Sequence, residues 1–133
     1  MIFIDSNVIL RFILNDDSKL SPRAAKIFKK IEQENLIVFL SDVIVAEIVY
    51  VLLKVYKLDK VEIKEKLLKI IALENISIEN KAILPEVFDA FVSKNVDFED
   101  AYQVALMMKK KVKQIYSFDS DFDKFPQIKR LER

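Results

Sequence analysis

The sequence predicts an α/β domain with a largely parallel sheet covered by helices on both faces. Short apolar runs of strand length recur along the chain, and segments with helical periodicity separate them. No repeat, linker or low-complexity stretch interrupts the pattern, so residues 1–133 are expected to form one domain.

Met1 to Ile4 is a short apolar run of the kind that forms a buried strand. Ser21-Pro22 reads as an N-cap followed by proline at the first helical position, with Ala24, Ala25, Ile27, Phe28 and Ile31 at helical spacing. Leu36 to Leu40 is a second strand-like run, stopped by Ser41-Asp42, which can cap the following helix. From Val43 to Leu53 every residue is apolar except Glu47, which predicts a helix buried on most sides.

Asp59 and Glu62 are placed like a capping pair for a helix ending near Leu73, with Val61, Ile63, Leu67, Leu68, Ile70 and Ile71 as its apolar side. Ile76-Ser77-Ile78 is a third strand candidate. Lys81 to Ser93 reads as helical, with Pro85 tolerable only near the first turn. Asp97 begins another helix, whose predicted core stripe is Phe98, Ala101, Tyr102, Ala105 and Met108. Gln114 to Phe118 is a fourth strand, and Ile128 begins a short fifth.

A chain of 133 residues is large enough to bury roughly two-thirds of its surface in one core. No apolar stretch approaches the ~20 residues that span a bilayer, which points to a cytoplasmic protein with no membrane partner. The chain has no cysteine, histidine or glycine. Thiolate and disulfide chemistry, imidazole acid–base catalysis, the phosphate-cradling P-loop and the dinucleotide fingerprint are therefore all excluded. Any chemistry must come from carboxylates, lysines, hydroxyls or bound metal. A net charge of +1 does not advertise nucleic-acid binding as a whole, leaving local patches such as Lys109, Lys110, Lys111 and Lys113, or Lys54, Lys57 and Lys60. Such runs also suit solvated helix ends, where cations complement the dipole.

Ligands of parallel sheets bind outside the carboxyl ends of the strands, near the point where strand order reverses. Asp5 follows the first strand directly and Asp119 the fourth, although an aspartate after a strand is also a common cap or turn residue. Glu47 is the sharper clue, because a carboxylate in an apolar helix must be paired, hydrogen-bonded or metal-bound unless it faces solvent on a narrow strip with Lys54. Asp100 stands in the first turn of its helix, where an acid also favours the dipole or serves as a capping partner of Asp97. Two unit charges ~4 Å apart repel by about 4 kcal/mol at an effective dielectric of 20, so four gathered acids require a cation. An oxygen-only site suits Mg²⁺ or Mn²⁺, and phosphodiester hydrolysis by metal-activated water needs no histidine.

These residues carry a family resemblance. Met1-Ile2-Phe3-Ile4-Asp5-Ser6-Asn7-Val8-Ile9-Leu10-Arg11 resembles the opening of PIN domains, an apolar strand ending in Asp, a small hydroxyl residue and Asn. Ser41-Asp42-Val43 through Glu47 resembles their second block, Asp97-Phe98-Glu99-Asp100-Ala101 their third, and Ser117-Phe118-Asp119-Ser120-Asp121-Phe122 their fourth. The four blocks stand in the family's order along essentially the whole chain, with Ser117 where Thr is usual.

The resemblance implies a three-layer α/β/α fold with a four- to five-stranded sheet. It implies Mg²⁺- or Mn²⁺-dependent endoribonuclease activity, with Asp5, Glu47, Asp100 and Asp119 as the acidic, metal-holding set. Ser6, Asn7, Ser117 and Asp97 are supporting candidates, Asp97 mainly as a helix cap; Asp121 and Asp123 are read as turn residues. The small single-domain form looks most like VapC-type toxins, which implies an RNA substrate, a homodimer and an inhibiting antitoxin. A carboxylate cluster is also a receptor for a guanidinium, so an arginine on the antitoxin tail is the expected plug. A haloacid-dehalogenase-like phosphatase is the rival enzyme, but it needs an acid where Asn7 stands. A PIN scaffold that binds RNA or protein without cutting is the non-enzymatic rival, and all four acidic positions are filled against it.

Overall fold

All five expected strands form, the last as Lys129–Leu131 just after Ile128, and every pairing between them is parallel. Parallel neighbours need crossover connections; those joining the first three strands contain helices and that joining the last two only a 3₁₀ turn, in a mixed α/β fold with six α-helices. The computed structural model describes residues 1–133, which separate into two units, Met1–Lys81 and Ala82–Arg133.

In the first unit, β1 (Ile2–Phe3), β2 (Val38–Phe39) and β3 (Ile76–Ser77) lie side by side in that order. The register sets Ile2 against Val38 and Phe3 against Phe39, then Val38 against Ile76 and Phe39 against Ser77. Strand order does not reverse within this sheet, so the carboxyl end of β1, not a switch point, is what locates Asp5. Helices α1 (Ser6–Leu14), α2 (Leu20–Gln33), α3 (Asp42–Tyr50) and α4 (Lys60–Ile71) bury Ile9, Ile31, Val45, Ile48, Ile63 and Leu67 with β3 residue Ile76.

Four expectations about this unit need correction. The Met1–Ile4 run is not a buried strand: Ile4 is buried, but Phe3 is 74% exposed, because β1 is an edge strand with a neighbour on one side only. Helix α2 begins at Leu20 and not after Ser21. The Asp17 carboxylate accepts the Lys19 and Leu20 N–H groups at 2.9 and 2.7 Å, while the Ser21 hydroxyl donates to the Arg11 carbonyl. Pro22 still falls within the first turn, where its missing N–H costs nothing. Helix α3 is not buried on most sides, since Val43 and Tyr50 are 77% and 59% exposed on the face that also carries Glu47, and past Tyr50 the chain widens into a π-turn over Val51–Val55. In α4, Val61 is exposed while Ile63, Leu67, Ile70 and Ile71 form the buried side, and Asp59 caps the helix by accepting the Glu62 N–H at 2.8 Å.

A 3₁₀ turn, Lys81–Ile83, opens the second unit from the last residue of the first and leads into α5 (Leu84–Ser93), with Pro85 in its first turn as its missing N–H demands. Helix α6 (Phe98–Lys110) follows, then β4 (Gln114–Tyr116), a 3₁₀ turn over Ser120–Lys124 and β5 (Lys129–Leu131). The two strands pair in parallel with Ile115 opposite Arg130. Phe88, Phe91 and Phe98 form an aromatic core with ring centroids 5.2 to 6.3 Å apart. Truncating a fully buried phenylalanine such as Phe88 costs about 3–5 kcal/mol, so this cluster fixes how α5 and α6 pack. The buried stripe of α6 is Phe98, Ala101, Val104, Ala105 and Met107; Tyr102 and Met108, expected in it, are only partly covered. Lys109 and Lys110 lie in the last turn of α6 and Lys111 caps it, the dipole-favoured arrangement for a lysine run.

Candidate metal centre

Asp100 and Asp119, expected together, do come together, and Asp121 joins them. Each offers one carboxylate oxygen, and these atoms all lie within 4.8 Å of one another.

Local sequence explains the placement. Asp97 takes extended backbone (φ −64, ψ 150) and so starts α6 at Phe98, which sets Asp100 in the first turn. Its carboxylate makes no capping hydrogen bond, however, so the reading of Asp97 as chiefly a side-chain cap, with Asp100 as its capping partner, is corrected. Asp97 instead adds negative potential at Asp100. On the other side, β4 ends at Tyr116 and Ser117 turns the chain. The Ser117 Oγ accepts the Asp119 N–H at 3.0 Å, and the Asp119 Oδ1 accepts the Asp121 N–H at 2.9 Å. This relay starts the 3₁₀ turn and holds both carboxylates on one side of it. The Ser117 hydroxyl thus has a structural part here, as the acceptor that sets the Asp119 backbone.

The electrostatics follow from this crowding. Burial, then the charge of Asp119, then that of Asp97 push the Asp100 carboxyl up to about 6 from 3.8; its hydrogen bond to Asp119 and the charge of Asp121 act in the same direction. The protonated form can donate that bond and the ionised form is repelled by three neighbours. One cation of the chain itself relieves the site in part. The Lys124 ammonium stands 3.3 Å from the Asp121 Oδ1 and also donates to the Asn95 carbonyl at 3.3 Å, tying the turn to the loop before Asp97.

Asp5 and Glu47 belong to the first unit. Asp5 is the N-cap residue of α1 by its backbone (φ −94, ψ 162), but its exposed carboxylate makes no capping bond and is left open to a ligand. Ser6 is buried and Asn7 exposed in the first turn of α1. Glu47 is exposed on α3, so the argument that burial obliges it to have a partner does not hold. Its helix is apolar by composition yet leaves the Val43–Glu47–Tyr50 face uncovered.

Sequence reasoning underweighted Asp121 and missed Lys124. The available signal was the Asp119-Ser120-Asp121 spacing with Lys124 three residues on, an acid–base interval that pairs in a helical turn. The donor set fits a hard divalent ion. Three carboxylates with no nitrogen or sulfur ligand match Mg²⁺ or Mn²⁺, and oxygens around an ion at about 2.1 Å lie at most ~4.2 Å apart, close to the spacing found. No helix is long and apolar enough to cross a membrane.

Comparison with protein families matches the PIN domain over residues 2–128. No curated protein matches the chain.

Proposed function

Since the chain belongs to the PIN-domain family, a nuclease fold, we propose that it is a Mg²⁺- or Mn²⁺-dependent endoribonuclease. The observation that carries this reading is the convergence of Asp100, Asp119 and Asp121, with the Asp100 carboxyl raised by its neighbours. Those three would hold the cation; Asp5 and Glu47 are retained as further acidic residues of the activity on the strength of their motifs. When bound, the ion supplies Lewis acidity toward a phosphodiester and acidifies water. The protein's part is to bind and orient. Asp100, ionised above about pH 6, would serve as a ligand, the Ser117–Asp119–Asp121 relay fixes two carboxylates, and Lys124 offsets part of their charge.

We further assign it the role of toxin in a toxin–antitoxin pair, acting in the cytoplasm as a homodimer and inhibited by an antitoxin whose tail arginine engages the acids. The likeness of its four motif blocks to PIN domains, together with the small single-domain form that looks most like VapC-type toxins, supports this role. A 5′-labelled RNA should be cut with Mn²⁺ and remain intact with EDTA, and Asp5→Asn or Asp119→Asn should abolish cutting while leaving the circular dichroism spectrum unchanged. Turnover of p-nitrophenyl phosphate without RNA cleavage would favour the phosphatase instead. Growth arrest on expression, relieved by Asp5→Asn or by the product of an adjacent small gene, tests the toxin role.

A further inference from the structure

The loop carrying Asp119 and Asp121 is closed by a residue outside it. The Arg130 guanidinium donates from Nε and Nη2 to the two carboxylate oxygens of Asp123, at 3.1 and 2.9 Å, and from Nη1 to the Ser117 carbonyl at 3.2 Å. It also bonds the Glu132 carboxylate. Ser117 and Asp123 bracket the segment that contains both ligand candidates, so one planar fork holds the loop at its two ends. Pairing in β5 opposite Ile115 anchors Arg130 itself, and its side chain is only 15% exposed.

We propose that Arg130, with Asp123, is a positioning residue for the cation site, setting the mutual distance of the Asp119 and Asp121 carboxylates; this rests on the metal reading above. Surface ion pairs usually contribute little, and Asp123 is 56% exposed, but this pair is bidentate, its guanidinium side is covered, and the same guanidinium also holds a backbone carbonyl, the combination in which a guanidinium fixes geometry. Lysine cannot reproduce it, because one ammonium cannot span both Asp123 oxygens and the Ser117 carbonyl. From Ser117 to the 3₁₀ turn the chain is otherwise held by single hydrogen bonds, the two of the relay, the one from the Ser117 N–H to the Leu131 carbonyl and the one from the Phe122 N–H to the Asp119 carbonyl. Residues that orient ligands from behind typically change metal affinity 10- to 100-fold when lost.

The test is calorimetric titration of Mn²⁺ into wild type, Arg130→Met, Arg130→Lys and Asp123→Asn, each well below its melting temperature, with amide exchange by NMR. Arg130→Met and Asp123→Asn should weaken Mn²⁺ binding at least tenfold, with Arg130→Lys between them and wild type. Exchange at the Asp119 and Asp121 amides should rise at least tenfold more than at amides within α6, a selectivity that general loss of stability does not produce. Folded variants that bind Mn²⁺ within threefold of wild type, or exchange uniformly faster, overturn the proposal. Should Arg130→Met not fold, Asp123→Asn and Arg130→Lys decide by the same criteria. If wild type binds no Mn²⁺, the metal reading itself fails and the positioning role falls with it, whereas binding by wild type and all variants alike removes the positioning role alone.

Discussion

Replacing Asp100 with asparagine should stabilise the metal-free protein while ending its activity. In the fold the Asp100 carboxyl titrates at about 6 against 3.8 for the free side chain, so the ionised form is disfavoured by a difference of about two pH units. At ~1.4 kcal/mol per unit this sets a ceiling near 3 kcal/mol, and because the group is partly open to solvent, screening reduces it to about 1–2 kcal/mol. The sign follows from the raised value. Above pH 6 the group is ionised in both folded and unfolded chains and the whole cost is present; as pH falls from 6 toward 3.8 the folded chain keeps its proton and the cost fades. At pH 7.5 in EDTA, Asp100→Asn should therefore melt about 3–10 °C above wild type, at roughly 3–5 °C per kcal/mol for a chain of this size. The gap should narrow at pH 5 and vanish below pH 4. Millimolar Mn²⁺ should reverse the order, raising wild type by linkage and leaving the variant nearly unmoved. An Asp100→Asn protein that melts at or below wild type in EDTA at pH 7.5 would refute the claim that this carboxylate stands in an under-neutralised cluster.

Lys124→Met should lower the melting temperature in EDTA and bind Mn²⁺ more tightly than wild type, because the ammonium both offsets the acids and competes for Asp121; titration giving equal or weaker binding would show that Lys124 is no counter-charge. Asp17→Ala should melt below wild type at pH 7, since two backbone N–H groups at the start of α2 hold the Asp17 carboxyl below its usual range. That contribution is present above pH 3.8 and lost as pH falls further through the depressed folded value, so melts collected down to pH 2 should converge. Lys111→Gly should stabilise by about 0.5–1 kcal/mol, because Lys111 closes α6 at φ 60, where an L-residue with a Cβ is strained and glycine is not. Denaturant melts with an unchanged m-value and a lower midpoint would contradict this.

The first four strands were legible because each expected run combines apolar residues with a polar stop, while the fifth, Lys129–Leu131, starts one residue after the Ile128 expected to begin it. Their exposure was not legible. Phe3 is as apolar as Phe88, yet one lies on an edge strand and the other between two helices, a difference created by neighbours far away in sequence. The same limit produced the misreading of α3. Its composition is apolar on every face, so periodicity could not reveal that Val43, Glu47 and Tyr50 share the uncovered one. Ser21 illustrates competition between local solutions: the hydroxyl suits an N-cap, but Asp17 is stronger because its ionised oxygen accepts two N–H groups at once.

The absence of glycine held a signal that bears on the site. Every residue with positive φ in this chain must carry a side chain, and the six that do so are Asn15, Asn35, Lys57, Asn80, Asn95 and Lys111. Asparagine is the residue that tolerates the left-handed region most readily after glycine, so in a glycine-free chain it marks where helices end. Asn95, at φ 51, ends α5 in this way and reverses the chain two residues before Asp97. Its carbonyl accepts the Lys124 ammonium, the same group that pairs with Asp121. A turn chosen for backbone reasons thereby offers its carbonyl to the ammonium that offsets the charge of Asp121. The individual acids could be read from their motifs; the agreement of two unrelated turns about one ammonium could not, because it depends on a contact spanning 29 residues.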